Sequence, residues 1–345
     1  IDHSGSDLFL VTGLPPSIRV DGEVRPLDEE VLSGQDIVDA LESSLQKRMM
    51  ERYRSGESSI DTSFEFPLLG RFRVNLHRER GRPAAAIRTF ANRPPQLGEL
   101  GFTRSIDAIT RLPYGLVLIG GPTGSGKTTT LAALINEINR REARHIITIE
   151  DPIEYEHPHG RSVIEQVEIG VDAPDFPTAL RSALRQAPDV LVVGEMRDPE
   201  TMRIALAAAE TGHLVFSTLH TGDLASTISR ISDSFSAERQ PTIRQELAMA
   251  LAAVMTQILL PKTGGGRVPA AELLMMGYGA RQHVRKNALQ HLHQELTITR
   301  ADGSFSMEES LADLVRLGLI DQSEARDHTR HRDELEIHFR GPRTS

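Results

Sequence analysis

Cysteine is absent from all 345 residues. That excludes disulfides, thiolate zinc sites and a cysteine nucleophile, and it fits a reducing compartment. A basic surplus is missing too, since 39 Lys and Arg stand against 48 Asp and Glu, a net charge of −9. Nucleic-acid binders rest on clustered positive charge over phosphates, so no DNA or RNA partner is expected. Nothing resembles a signal peptide, and the longest apolar run, residues 247–260, is too short for a bilayer span and carries Thr256 and Gln257. It reads as a core helix. The chain starts at Ile1 rather than Met, so a native N-terminal piece is expected upstream. What remains, 39% hydrophobic and 25% charged, is a globular composition long enough for two domains.

The most informative stretch is Gly121-Pro122-Thr123-Gly124-Ser125-Gly126-Lys127-Thr128. It follows the apolar run Leu116-Val117-Leu118-Ile119, a buried strand, and precedes Thr129 to Asn136, whose apolar residues have helical spacing. Strand, glycine loop and helix in that order form a P-loop. Glycines let the backbone curl so that its N–H groups and the helix N-terminus face a phosphate. Lys127 then supplies a mobile cation for the β- and γ-phosphates of ATP, and the Thr128 hydroxyl suits Mg²⁺.

Upstream, residues 1–91 read as a separate small α+β domain. Asp21-Gly22 is a two-residue hairpin turn signal between Ser17-Ile18-Arg19-Val20 and Glu23-Val24-Arg25-Pro26. Val38, Leu41, Leu45 and Met49 share one face of a predicted helix. Phe64-Glu65-Phe66, residues 71–76 and residues 84–90 read as three strands. Residues 92–99 open with Asn92-Arg93-Pro94-Pro95, which cannot continue a helix or a central strand, and are taken as the interdomain linker.

From residue 100 to 345 strands alternate with helices, which predicts a parallel sheet covered on both faces and a mostly helical end after Thr242. His145-Ile146-Ile147-Thr148-Ile149 delivers Glu150-Asp151-Pro152-Ile153-Glu154 at its end, where ligands bind in open α/β sheets. Asp189 to Gly194 delivers Glu195, a Walker B arrangement with glutamate in the metal-side role. His213 to Ser217 leads into Thr218-Leu219-His220-Thr221. Two histidines do not make a zinc site, and no third ligand is suggested nearby.

These four segments, in this order, resemble the Walker A, Asp box, Walker B and His box of the type II and type IV secretion ATPases. Over nearly its whole length the chain resembles the PilT/PilU twitching-motility retraction ATPases, including residues 14–22 and Gly70-Arg71-Phe72-Arg73-Val74-Asn75. The resemblance implies a PAS-like N-terminal α+β domain, a RecA-like P-loop ATPase domain with C-terminal helices, and a hexameric ring. It implies a cytoplasmic motor at an inner-membrane pilus platform, working beside a paralogous retraction ATPase. By the same resemblance Lys127, Thr128 and residues 121–129, including Pro122, Ser125 and Thr129, bind ATP. Glu154 polarises the attacking water, Glu195 supports Mg²⁺, Glu150 and Asp151 assist, and His213 and His220 sense the γ-phosphate.

Arginines of the N-terminal domain reach a nucleotide in this family, some across a subunit boundary. Arg73 and Arg88 match directly, and Arg80 is chosen over Arg78 or Arg82. A planar guanidinium suits the charge spread over the γ-oxygens in the transition state. Assembly and type II secretion ATPases usually carry a four-cysteine zinc insertion, so a cysteine-free chain favours the retraction branch. Retraction members carry an Ala-Ile-Arg-Asn-Leu-Ile-Arg motif where this chain has Gly279-Ala280-Arg281-Gln282-His283-Val284-Arg285. Both arginines match and three apolar positions depart. An accessory ATP-binding scaffold, an assembly or secretion motor and a nucleic-acid motor are the alternatives to a retraction motor.

Overall fold

A computed structural model describes residues 5–20, 23–66, 69–90 and 93–340. The chain divides into two compact units, Ile1–Arg93 with Pro152–Glu156, and Pro94–Asp151 with His157–Ser345. The division thus falls after Arg93, and Leu97–Glu99 of the expected linker is a 3₁₀ turn of the second unit. Both units are of the classes expected.

The first unit is one antiparallel sheet carrying two helices. Its elements are β1 (Asp7–Val11), β2 (Ser17–Val20), β3 (Glu23–Pro26), α1 (Gly34–Glu42), α2 (Lys47–Arg54), β4 (Ser59–Phe66), β5 (Gly70–Glu79) and β6 (Arg82–Thr89). The strand order is β3-β2-β1-β6-β5-β4. Strands β2 and β3 pair from Ser17↔Pro26 to Val20↔Glu23, while the expected turn Asp21-Gly22 lies outside the described residues. Strand alternation buries Val74 and Leu76 on one face of β5, as a half-covered sheet requires. The single helix expected over Val38 to Met49 is two helices. The amides of Ser44 and Leu45 both return to the Leu41 carbonyl, ending α1, and the buried residues are Ile37, Leu41, Met49, Met50 and Tyr53.

The second unit runs β7 (Gly115–Gly120), α3 (Lys127–Arg141), β8 (His145–Glu150), β9 (Val163–Glu168), α4 (Phe176–Ala183), β10 (Val190–Glu195), α5 (Pro199–Glu210) and β11 (Leu214–Leu219). It continues through α6 (Leu224–Asp233), α7 (Gln240–Ala250), β12 (Leu251–Pro261) and β13 (Arg267–Met275). Helices α8 (Tyr278–Arg285), α9 (Leu292–Ile298), α10 (Met307–Arg316), α11 (Gln322–His328) and α12 (Arg332–Arg340) close it. The sheet order is β13-β12-β7-β11-β10-β8-β9, parallel throughout except for the β12–β13 pair. The chain leaves β7 toward β8 on one side and reaches β12 on the other, so β7 marks the topological switch point where such sheets bind ligands.

Both faces of this sheet are buried. Leu116, Leu118, Leu191 and Val215 join one apolar cluster while Val117, Ile119, Val190 and Phe216 join the other, the period-two division of a fully covered strand. Phe216 has no exposed surface. Phe216→Ala is expected to cost about 3–5 kcal/mol, read as a lower denaturant midpoint at an unchanged slope.

The end of this unit differs from expectation. Helix α7 stops at Ala250, and residues 251–261, read as the continuation of a core helix, are strand β12 between β7 and β13. A strand buried on both faces has no polar alternation, so its apolar run is indistinguishable from a buried helix by period. The triple glycine 264–266, with φ of 87°, 104° and 79°, turns the chain back into β13 in a left-handed backbone that a side chain resists. Among the described residues no helix is long and apolar enough to cross a membrane.

Candidate active site

Parallel pairing carries the polar ends of four strands to one sheet edge. Gly120 of β7 lies beside Leu219 of β11, Glu195 of β10 beside Thr218, and Ile149 of β8 beside Val193. The P-loop, Glu150 and Asp151, Glu195, and His220 therefore leave the same edge. Gly126, at φ 88°, caps α3 without a side chain, and the first amides of α3 have no intrahelical carbonyl to bond. Gly121 permits the close return of the loop: a Cβ there would lie 2.4 Å from Ser125 Oγ and 2.5 Å from the Gln257 carbonyl. At Gly124, by contrast, φ is 78° and the space is open.

Lys127 is buried, and its Nζ donates to the Gly121 carbonyl at 2.9 Å and the Pro122 carbonyl at 3.0 Å. Burial lowers the ammonium pKa and the Glu195 carboxylate opposes that. His220 Nδ1 lies 3.5 Å from Lys127 Nζ and 3.4 Å from Thr123 Oγ1, and its Nε2 is 3.5 Å from Glu195 Oε1. Glu195 Oε2 pairs with Arg197 at 2.8 Å. Lysine, histidine and acid thus form one polar chain along the edge. Glu150 accepts from Thr148 Oγ1 at 2.7 Å and from Gln166 Nε2 at 3.1 Å, which holds it at the end of β8.

The donor set fits a nucleotide with its cation. Amides at a helix N-terminus and a buried lysine match phosphate charge, while a threonine hydroxyl and a carboxylate are the hard oxygen ligands that Mg²⁺ prefers. Thr128 is half-buried at the second position of α3, and Ser125 Oγ beneath the loop is buried without a partner among the described residues.

His213 does not join this group. It precedes β11, its carbonyl accepts from the Gly115 amide where β7 begins, and its Nδ1 meets the Ala208 carbonyl at 3.0 Å. The six residues of β11 separate it from His220, about 20 Å at the usual rise per residue. It sits at the opposite edge of the sheet, with Arg144, Asp189 and Thr211 around it. One contributor is new. Gln257, on β12, donates from Nε2 to the Ser125 carbonyl at 2.6 Å and so seats the P-loop. Its only sequence signal is a polar residue within an apolar run.

The first unit gathers Glu154, Arg73 and Arg88. Arg73 and Arg88 are direct cross-strand partners on β5 and β6, and like charges placed opposite are unfavourable without counter-ions. Arg73 pairs with Asp61 through two contacts, of 3.0 and 2.7 Å, and Arg88 Nε bonds Asp7 Oδ1 at 2.7 Å. Burial pushes the Glu154 carboxyl above its ordinary pKa, against the pull of Arg73 and Arg88. Arg71 pairs with Glu156 at 3.0 Å. Arg80 stands apart at the tip of the β5–β6 hairpin, with φ 48°, 86% exposed and paired to Glu79. Arg78 is used within the unit, stacked on Tyr53 at 4.4 Å and donating to its carbonyl at 3.2 Å.

The altered motif near residue 280 is helix α8. Arg281 donates to the carbonyls of Ala248 and Met249 at 2.7 and 2.9 Å, satisfying the end of α7. Two of its departures are coupled. Gly279 leaves room for the buried Glu295 carboxylate, which a Cβ there would approach to 2.4 Å, and Glu295 lies 3.3 Å from His283 Nε2.

Comparison with known proteins agrees with this geometry. Residues 69–322 match the family described as Type II/IV secretion system protein. The type IV pilus retraction ATPase PilT of Pseudomonas aeruginosa is 40% identical over 328 residues, covering 94% of each chain. A twitching motility protein of Neisseria gonorrhoeae is 42% identical over 322 residues, 93% of this chain and 86% of that one. A crystal structure of the pilus retraction motor PilT with bound ADP superposes with a TM-score of 0.89 at 40% identity, covering 97% of this chain and 96% of that one. The chain is an ATPase of the type II/IV secretion family and belongs to its PilT-like pilus-retraction branch.

Proposed function

We propose that this chain is the subunit of a homohexameric cytoplasmic motor that hydrolyses Mg²⁺-ATP to disassemble a type IV pilus at an inner-membrane platform. The observation that carries the reading is the convergence of the P-loop, Glu195 and His220 on one sheet edge, in a chain similar to PilT over nearly its full length. Residues 121–129 and Lys127 would hold the phosphates, with Thr128 and Glu195 toward Mg²⁺. That cation supplies charge neutralisation at the β- and γ-oxygens. His220, set between Lys127 and Glu195, is assigned to the γ-phosphate, and Glu150 and Asp151 to support of that edge.

Glu154 is assigned as the base that orients and polarises water, a role helped by a carboxyl pKa raised through burial. Arg73 and Arg88 are assigned to a neighbouring subunit's nucleotide, with Arg80 as a separate contributor from its exposed hairpin tip. Nucleotide bound differently in two arrangements of the ring would then drive movement.

Expression in a twitching-deficient strain lacking its own retraction ATPase tests the direction of work. Restored pilus retraction supports the motor. Hydrolysis without restoration, reversed only when a second retraction ATPase is supplied, favours the accessory role to which the changed α8 motif points. For the shared site, Arg88→Ala alone should be inactive, and mixing it with a Lys127→Ala chain should restore hydrolysis. Mixed rings that stay inactive, from chains that remain folded by circular dichroism, would remove Arg88 as a trans-acting group.

A further inference from the structure

Three C-terminal helices direct ligand-type side chains at one point. His293 lies on α9, Glu308 in the first turn of α10 and Glu334 in the first turn of α12. Their ligating atoms all lie within 4.8 Å of one another. His293 Nε2 meets Glu334 Oε2 at 2.6 Å, and the ring is stacked on His331 with centroids 3.9 Å apart, which fixes its orientation.

The charge balance is unusual. Glu308 and nearby Glu272 are buried, at 1% and 8% exposure, and Glu334 is half-buried. Among the described residues no lysine or arginine forms an ion pair with any of the three, and Arg330, which is close by, pairs with Asp223. Glu272 takes a hydrogen bond from Thr256 Oγ1, and Glu308 takes two, from Thr329 Oγ1 and the His331 amide. Glu334 has histidine partners, His293 and, at 3.6 Å, His338. The buried carboxylates of Glu272 and Glu308, by contrast, have no lysine or arginine beside them among the described residues and call for a proton or a cation. Both a path and room exist, because Glu272, His293 and Glu308 line a cavity of about 810 Å³ that also reaches Thr123 and His220.

We propose that His293, Glu308 and Glu334 form a binding site for a divalent transition-metal ion, separate from the nucleotide's Mg²⁺. One imidazole and two carboxylates with an open cavity side match three protein ligands plus a water, the pattern of non-structural zinc sites. The imidazole disfavours Mg²⁺ and Ca²⁺, which prefer oxygen alone. A bound ion would replace the proton now shared by His293 and Glu334 and tie α9, α10 and α12 together.

The test uses the full chain, stripped with chelator and free of nucleotide, titrated with Zn²⁺ by calorimetry. One equivalent per chain is expected to bind tightly and raise the melting temperature. Combined His293→Asn and Glu308→Gln should weaken that equivalent at least about 100-fold, with ATP binding retained as the measure of correct folding. Independently of any variant, Co²⁺ in the wild-type chain should give the visible absorption of a four- or five-coordinate ion with a nitrogen ligand. No stoichiometric Zn²⁺ binding, or binding unchanged in the folded double variant, or only the weak absorption of six-coordinate Co²⁺, would overturn the site and leave protons to balance the carboxylates.

Discussion

Lys127→Ala is expected to lower ATP affinity and turnover together, with turnover falling about 10²–10³-fold, the loss seen when a preorganised donor is removed from a reacting oxygen. The side chain is 7% exposed, and its ammonium rests on two loop carbonyls beside Glu195 and His220. A phosphate entering the loop would take over those donors at little cost in reorganisation, since the helix amides already face it. Removing the cation leaves Glu195 and two carbonyl dipoles facing the phosphates, so repulsion replaces attraction. Equilibrium titration with a fluorescent ATP analogue, beside steady-state hydrolysis, measures both. Tight ATP binding by the alanine variant would sink the assignment of this loop.

Glu154→Gln separates binding from chemistry. Mg²⁺-ATP affinity should stay near that of the unaltered chain while turnover falls about 10²–10⁴-fold, the usual worth of a positioned general base. Burial raises this carboxyl above the ordinary 4.5, so the ionised base is lost as pH falls through that raised value. The acid limb of kcat/KM should therefore lie above that of an ordinary glutamate and vanish in the glutamine variant. Stability follows the opposite sign. The folded chain holds this proton more tightly than the unfolded one, so the group favours folding most at low pH. That contribution is lost as pH rises through the folded pKa. At neutral pH, Glu154→Gln removes a buried charge and with it the counter-charge to Arg73 and Arg88, so stability should change little while activity collapses. Turnover near normal would remove Glu154 as the base.

Lys127 is legible from sequence, and the reason is local, whereas the role of Glu154 comes from the family resemblance. In residues 116–128 the strand, the glycines, the lysine and the helix start are neighbours in the chain, and the backbone geometry each requires is set by its own residue type. Glu150, Glu195 and His220 were legible because a parallel sheet places every strand's C-terminal end on one edge. His213 shares a box with His220 but precedes the strand that His220 follows, and a box read as a unit does not distinguish the two edges.

Elsewhere, tertiary context decided. Residues 251–261 became a strand because β7 and β13 offer partners on both sides, and an apolar run buried on both faces carries no period of its own. That pairing is also what puts Gln257 under Ser125, 132 positions earlier in the chain. Arg73 and Arg88 were chosen separately, yet only the β5–β6 register sets them opposite one another and assigns Asp61, Asp7 and Glu154 as their counter-charges. His293, Glu308 and Glu334 give no sequence pattern at all, because their meeting depends on how three helices pack. The sequence by itself determined the chemistry of the P-loop edge, where the deciding contacts are short in the chain. The tertiary structure decided strand identity, charge pairing and the convergence of the helices, because those depend on partners that no local pattern names.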